Sequence, residues 1–323
     1  MTATSLAARP VLDGKHLDLQ VMSVFEQTAA IKSFTFAAPD GGELPGFVPG
    51  SHIVVGLGSK ARAYSLTGSG QNPRTYTISV LKSATGRGSA AMHELTEGDV
   101  VRVSGPRSAF APVATARHHL LIAAGIGITP MLSHARAAQL WDRSVSLIYT
   151  FRAGNGAHLE DLRVLPGLKL TECNDRGSFT EALREALPAQ PMGTHLYVCG
   201  PADFMSAVHT EARDYGWPDQ RLHAEHFGAG DQDPGRPFNV KLARSGSSLS
   251  VAAGQSLLEA LEQAGSTVPN MCRQGVCGEC AVPVLRGRVE HRDLYLTDEE
   301  KAANDTAMCC VSRAEDLEME LDL

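Results

Sequence analysis

Four cysteines constrain this chain more than any other feature. Cys272, Cys277 and Cys280 stand at C-x₄-C-x₂-C spacing in the run Cys272-Arg-Gln-Gly-Val-Cys277-Gly-Glu-Cys280, and Cys310 follows further on. This is the spacing of a 2Fe–2S centre, in which two irons need four thiolates and three converge from one loop. Gly275 and Gly278 leave room for the loop and free its backbone N–H groups to face the sulfides. A zinc site would more usually show two Cys-x-x-Cys pairs. A redox pair needs only Cys277 and Cys280, and buried structural cysteines have no reason to cluster. Cys309 adjoins Cys310 and competes for the fourth position. Cys310 gives the better spacing and is the expected ligand, with Cys309 a buried neighbour. The seven cysteines, of which Cys173 and Cys199 are isolated, form an odd set without an export signal ahead of it. That combination argues for metal ligation over a disulfide framework, in a cytoplasmic protein.

The 323 residues, 43% apolar and 20% charged, allow two or three domains with their own cores and exclude a disordered acidic chain. No run of 18 apolar residues exists, which excludes a membrane-spanning helix. Within residues 1–112, short β-rich runs alternate with Gly/Pro turns: Leu17–Phe25, Ile31–Ala37, His52–Leu57, Arg62–Leu66, Thr75–Leu81 and Val100–Gly105. This spacing predicts an antiparallel β-barrel, with Ser89–Leu95 its one short helix. Residues 113–228 alternate strand and helix (His118–Ala124, Thr129–Leu140, Val145–Phe151, Phe179–Leu187, His195–Cys199), which predicts a doubly wound parallel α/β domain. The polar, Gly- and Pro-rich residues 229–236 read as a linker. Residues 237–323 then offer strands Phe238–Arg244 and Ser248–Val251, a helix Ser256–Gly265, and the cysteine loop. Charge is uneven: residues 1–236 hold 21 basic and 22 acidic side chains, residues 237–323 hold 8 and 14. An acidic segment repels nucleic acid and anionic membrane and favours a basic protein surface, although solubility alone explains it equally well.

Two further motif groups carry chemistry. In Arg62-Ala63-Tyr64-Ser65-Leu66, strand alternation puts Arg62, Tyr64 and Leu66 on one face, and an arginine can clamp a phosphate bidentately. Gly86-Arg-Gly88-Ser89-Ala90 puts glycines ahead of a short helix, where backbone N–H groups suit a phosphate. Alone, these read equally as an exposed strand and a plain loop. Ala124-Gly125-Ile-Gly127-Ile-Thr129-Pro130 joins a strand to a helix without completing the dinucleotide fingerprint. Its glycines permit close backbone approach at a strand's carboxyl end, where α/β ligands bind. Val198-Cys199-Gly200-Pro201 ends a later strand in the same way.

The cysteine segment resembles plant-type ferredoxins throughout, including the helix Ser256-Leu-Leu-Glu-Ala-Leu261. Glu290-His-Arg-Asp293, Leu296-Thr-Asp-Glu-Glu300 and Cys310-Val-Ser-Arg-Ala314 narrow the likeness, while Met271 departs from the small polar residue usual before the first cysteine. Together with the motif order, they make the chain resemble the phthalate dioxygenase reductase family from about residue 17 to 323. The resemblance implies a flavin-binding β-barrel, a doubly wound nucleotide domain and a β-grasp ferredoxin domain. It implies that Arg62 with Gly88, Ser89 and Ala90 holds the phosphate of FMN. Ala63, Tyr64 and Ser65 would meet the ribityl chain and isoalloxazine, and Ile78, Ser79 and Val80 would line the ring. Gly125, Gly127, Thr129, Pro130, Gly200 and Pro201 would receive the nicotinamide, with Arg152 on the adenosine and Phe227 an aromatic near the flavin. Cys199, Thr129 and Ser65 would stand at the reacting atoms, and Cys272, Cys277, Cys280 and Cys310 would ligate the cluster. Few basic residues accompany Arg152 and Arg176, and Asp175 opposes them, which favours NADH over NADPH.

The implied activity follows from electron counting. NADH delivers electrons in pairs, a 2Fe–2S centre accepts one, and a flavin between them converts the two currencies. The expected function is an NADH-dependent reductase feeding a separate oxygenase component, a Rieske non-haem iron oxygenase or demethylase, with a haem monooxygenase as the alternative acceptor. A monomer with neither nucleic-acid nor membrane partners is expected. An iron–sulfur redox sensor or binding module without turnover is the alternative of another class. The presence of Arg62, Tyr64, Gly127, Thr129 and Cys199 argues against it.

Overall fold

The structure is a computed structural model that describes residues 16–57, 60–82, 87–108, 110–227, 234–270, 273, 275 and 278–323. Its contacts form two compact units, residues 14–55 with 64–226 and residues 56–63 with 227–323. Among the described residues no helix is long and apolar enough to cross a membrane.

The first sheet comprises β1 (His16–Thr28), β2 (Ile31–Ala37), β3 (Ser51–Leu57), β4 (Lys60–Ser65), β5 (Thr75–Leu81), β6 (Val100–Ser104) and β7 (Arg107–Ser108), with helix α1 (Arg87–His93) between β5 and β6. The order is β4-β3-β6-β1-β2-β5, with β7 on β3. An antiparallel bridge from Leu66, just past β4, to Ile78 on β5 closes the sheet into a barrel. Period-two burial makes the core: Phe34 and Phe36 on β2 lie opposite Ile78 and Tyr76 on β5, all fully buried. Each such side chain contributes roughly 1.5–3 kcal/mol by leaving water. Bulges between Val21 and Ser23 and between Glu26 and Thr28 break the alternation of β1. They let it outrun the expected Leu17–Phe25 while leaving Met22 and Phe25 exposed.

The second sheet is parallel. In chain order its elements are β8 (His118–Ala124), α2 (Ile128–Leu140), β9 (Ser144–Thr150), α3 (Leu159–Arg163), β10 (Leu168–Cys173), α4 (Arg176–Ala186), β11 (Thr194–Cys199), α5 (Ala202–Asp214) and β12 (Leu222–Glu225). The strands run β10-β9-β8-β11-β12. Strand order therefore reverses between β8 and β11, and the crevice at that switch point is where open α/β sheets bind ligands. The edge strands β10 and β12 are mostly half-buried. An edge strand lacks the continuous apolar run that makes β8 legible, so neither is apparent in the sequence.

The carboxy-terminal sheet takes β13 (Phe238–Leu242), β14 (Ser248–Val251), β15 (Ala281–Arg286), β17 (Thr306–Met308) and β19 (Glu318–Leu321) in the order β14-β13-β19-β15-β17. A small ribbon pairs β16 (Val289–Glu290) with β18 (Arg313–Ala314). Helix α6 (Leu257–Gln263) buries Leu257, Leu258 and Leu261 in the core of this β-grasp domain, and α7 (Asp298–Ala303) precedes β17. Ser256 is the N-cap of α6: its hydroxyl accepts from Glu259 N–H while the Glu259 side chain returns to Ser256 N–H.

Candidate functional site

At the switch point the two glycine motifs meet backbone to backbone. A Cβ on Gly127 would lie 2.2 Å from the Cys199 carbonyl oxygen and 2.9 Å from Gly200 N. One on Gly200 would lie 2.8 Å from Ala124 Cβ and 2.9 Å from Phe204. Neither position accepts a side chain, so the ends of β8 and β11 are held at a spacing only glycine permits. Gly125, at φ +54°, opens the turn; its carbonyl accepts from Tyr149 Oη at 3.1 Å, and the same Oη accepts from Ala157 N–H at 3.1 Å. The buried Thr129 hydroxyl donates to Ile126 O at 3.1 Å in the first turn of α2, beside buried Pro130. Pro201 caps the start of α5, and Arg152 is exposed beyond β9.

Strand register brings three more groups together. Cys199 lies opposite Glu225, and Ser65 Oγ, from the barrel, donates to Glu225 Oε2 at 3.4 Å. Burial pushes the Glu225 carboxyl up to about 8, with the Ser65 hydrogen bond pulling the other way. Burial, and secondarily the charge of Glu225, push the fully buried Cys199 thiol well above its ordinary range. Cys199 is therefore a neutral thiol that shapes the crevice and not a thiolate nucleophile. The only sequence signal for Glu225 is an acidic residue ending the short strand Leu222–Glu225.

The raised carboxyl has a stability consequence. Between about pH 4.5 and 8 the folded chain keeps the Glu225 proton that the unfolded chain releases, so this contribution is full below that window and is lost as pH rises through it. Thermal unfolding compared at pH 5 and pH 8.5 is expected to show a smaller drop in Glu225→Gln than in the wild type. Equal drops would refute the assignment.

On the barrel, Arg62 is exposed on β4, with Nη1 donating to Ala61 O at 2.9 Å; its guanidinium is a donor set suited to phosphate. Ala63 and Tyr64 are half-buried and Ser65 is buried. The expected common face of Arg62, Tyr64 and Leu66 is corrected: β4 ends at Ser65, and Leu66 turns into the core to reach Ile78. Ile78, Ser79 and Val80 are all buried. In α1, Gly88 is buried while Ser89 and Ala90 are half-buried, and Phe227 is half-buried after β12.

In the cysteine region, Cys280 Sγ and Cys310 Sγ stand 3.2 Å apart, both buried, although 30 positions separate them. Cys272 and Cys277 lie outside the described residues, as does most of the linker. Cys309 is fully buried, its Sγ 3.9 Å from Ala307 O and its thiol pushed well up by burial. The loop is cramped. A Cβ on Gly275 (φ +74°) would sit 2.6 Å from Val311 Cγ2, and one on Gly278 (φ +78°) would sit 2.3 Å from the Tyr295 ring. Arg273, also left-handed at φ +55°, is pinned by a bidentate ion pair with Glu262 of α6. Its Nε donates to Asn270 Oδ1 at 3.1 Å, and both charged side chains are under a tenth exposed. Leu294 N–H donates to Gly275 O at 2.9 Å, which fastens the following segment to the loop. The approach of Cys280 and Cys310 beside two glycines that admit no side chain fits a 2Fe–2S cluster that these two thiols would help to hold.

Comparison with known proteins finds matches along most of the chain. Residues 14–111 match the oxidoreductase FAD-binding domain, 101–222 the dimethylamine monooxygenase subunit DmmA-like N-terminal domain, and 240–315 the 2Fe-2S iron-sulfur cluster binding domain. The heme-dependent oxidative N-demethylase beta subunit of Ectopseudomonas mendocina is 42% identical over 92% of this chain and 96% of its own length. The carnitine monooxygenase reductase subunit of Acinetobacter baumannii is 37% identical over 94% and 96%. The solved phthalate dioxygenase reductase, described as a modular structure for electron transfer from pyridine nucleotides to [2Fe-2S], superposes with TM-score 0.87 at 34% identity, covering 95% of this chain and 98% of that one. With full-length relatives at this identity, a flavin-binding barrel and a 2Fe–2S domain in the same order, the chain belongs to the phthalate dioxygenase reductase-like family of oxidoreductases.

Proposed function

We propose that the protein is an NADH-dependent reductase that passes electrons through FMN and the 2Fe–2S cluster to a separate oxygenase component. The observation that carries this is the switch point, where Gly127 packs on Cys199 and Gly200 and Ser65 of the barrel reaches Glu225. In this reading Gly127 and Gly200 would receive the nicotinamide beside a flavin held on the barrel, with the buried Cys199, Thr129 and Ser65 setting the shape of that site. Bound flavin supplies the conversion between paired and single electrons. FMN is the reading from family likeness. NADH is favoured by Asp175, whose carboxylate caps α4 by accepting from Ser178 N–H at 2.9 Å. That bond and the Ser178 hydroxyl hold it below the usual range, so it is a carboxylate at the start of α4, unfavourable to a 2′-phosphate bound nearby. The domain assignment is residues 1–112 for FMN, 113–228 for NADH, 229–236 as linker and 237–323 for the cluster, in a cytoplasmic monomer.

The acceptor is a Rieske non-haem iron oxygenase or demethylase. A haem-dependent acceptor is the second reading, favoured by the 42%-identical relative named as a subunit of a heme-dependent N-demethylase. Purified protein is expected to show flavin and iron–sulfur absorbance, to release FMN on denaturation, and to reduce ferricyanide and cytochrome c with NADH in preference to NADPH. Colour without NADH oxidation sinks the enzyme reading. Arg62→Ala is expected to weaken flavin retention about 10- to 100-fold, the worth of a charge-assisted phosphate contact; unchanged flavin content removes Arg62 from the site.

A further inference from the structure

One polar network ties the barrel to the parallel sheet. Ser79 of β5 places Oγ 2.8 Å from Ser33 Oγ on β2 and 2.8 Å from His158 Nε2. His158 precedes α3 in a left-handed conformation at φ +61°; its N–H donates to Gln27 Oε1 of β1 at 3.0 Å, and its Nδ1 lies 2.9 Å from Asp161 Oδ2. The other carboxylate oxygen, Oδ1, accepts from Arg136 Nη2 of α2 at 3.0 Å. The same guanidinium donates through Nη1 to the Thr67 carbonyl, just beyond β4, at 2.9 Å. Beside it, Ser133 Oγ donates to Gly68 O at 2.7 Å.

Ser79, His158 and Asp161 stand in the order of an acyl-transfer triad. Burial excludes that chemistry: Ser79 and His158 are each 5% exposed, and Ser79 Oγ already engages Ser33. No carbonyl substrate reaches the hydroxyl, so the network's role is mechanical.

We infer that Asp161 is a positioning residue which couples the chain end of β4, through Arg136 and Thr67, and strand β5, through His158 and Ser79, to the sheet that carries the nicotinamide motifs. The inference rests on the proposed reading that the barrel holds flavin and the parallel sheet NADH. The hydrogen bond with His158, and then the charge of Arg136, keep the Asp161 carboxyl below its usual range, so it accepts both bonds as an anion. An αL conformation at a non-glycine residue persists when its surroundings over-determine it, and His158 is fixed by three polar partners. One carboxylate thus sets where two strands of the flavin barrel stand relative to Gly127 and Cys199. Errors of about 1 Å in such placement cost up to about 100-fold in rate.

The test compares Asp161→Ala with Arg163→Ala, a control on the same helix whose ion pair with Glu172 is largely exposed. Amide hydrogen exchange on the holoprotein is expected to accelerate in segments 64–68 and 75–81 together in Asp161→Ala, and in neither in Arg163→Ala. Turnover of ferricyanide with NADH should fall about tenfold in kcat with KM for NADH within about twofold, and with flavin content kept. Arg136→Gln and His158→Gln cut one branch each and should loosen 64–68 alone and 75–81 alone, which keeps the proposal testable if Asp161→Ala does not fold. A competent wild type with wild-type exchange and kcat in Asp161→Ala overturns this proposal alone, as does a response in only one strand. A wild type that binds no flavin or ignores NADH overturns the functional reading and this proposal together.

Discussion

Cys310→Ser is expected to abolish or strongly shift the 2Fe–2S absorbance and electron paramagnetic signal, while Cys309→Ser keeps both. Cys310 Sγ lies 3.2 Å from Cys280 Sγ, so the two thiolates can share one inorganic centre. Cys309 sits in the domain's apolar core with its thiol toward the Ala307 carbonyl, and burial there keeps it protonated. Changes outside the ligand set already lower metal affinity about 10- to 100-fold. Loss of a ligand should therefore cut bound iron by at least about tenfold and stop cytochrome c reduction, with NADH-driven ferricyanide turnover at the flavin remaining. Iron retained in Cys310→Ser and lost in Cys309→Ser would reverse the assignment.

The second large effect is expected at Glu262. Its carboxylate is the bidentate partner of Arg273 inside the cysteine loop, and both side chains are almost wholly withdrawn from water. Glu262→Ala leaves an uncompensated guanidinium in that place, a change that costs about 3–5 kcal/mol. Urea unfolding followed by the cluster's visible circular dichroism should show the loss as an earlier midpoint and faster cluster release. Replacing both residues, Glu262→Met with Arg273→Met, should recover much of it, because an apolar pair carries no desolvation penalty. A Glu262→Ala protein within about 0.5 kcal/mol of wild type, the scatter of ordinary surface changes, would show that the pair is not structural.

Much of the site was legible because its chemistry is local. Three of the expected cluster ligands are near neighbours in the sequence, Gly127 and Thr129 fall within one turn, and Cys199 with Gly200 at the end of one strand, so each motif carries its own spacing. The interior strand β8 was equally legible, since burial on both faces makes it continuously apolar. The edge strands β10 and β12 were not, because half-burial dilutes the pattern. Glu225 is hidden with β12, whose half-burial it shares. Alternation puts Arg62 and Leu66 on one face only where the strand continues, whereas β4 stops one residue short of Leu66.

Spacing and patterning along the chain specify a barrel, a parallel α/β domain and a 2Fe–2S segment, and the order in which they follow. Ligand spacing, strand period and glycine placement are properties of neighbours along the chain, and neighbours are what a sequence displays. The fold alone brings Ser65 to Glu225 across 160 positions, Glu262 to Arg273, and Asp161 to both Arg136 and His158. Those partners depend on strand register, on the reversal of order between β8 and β11, and on how the barrel closes. A one-residue change of register would turn Ser65 or Glu225 to the opposite face of its strand while leaving every local motif intact.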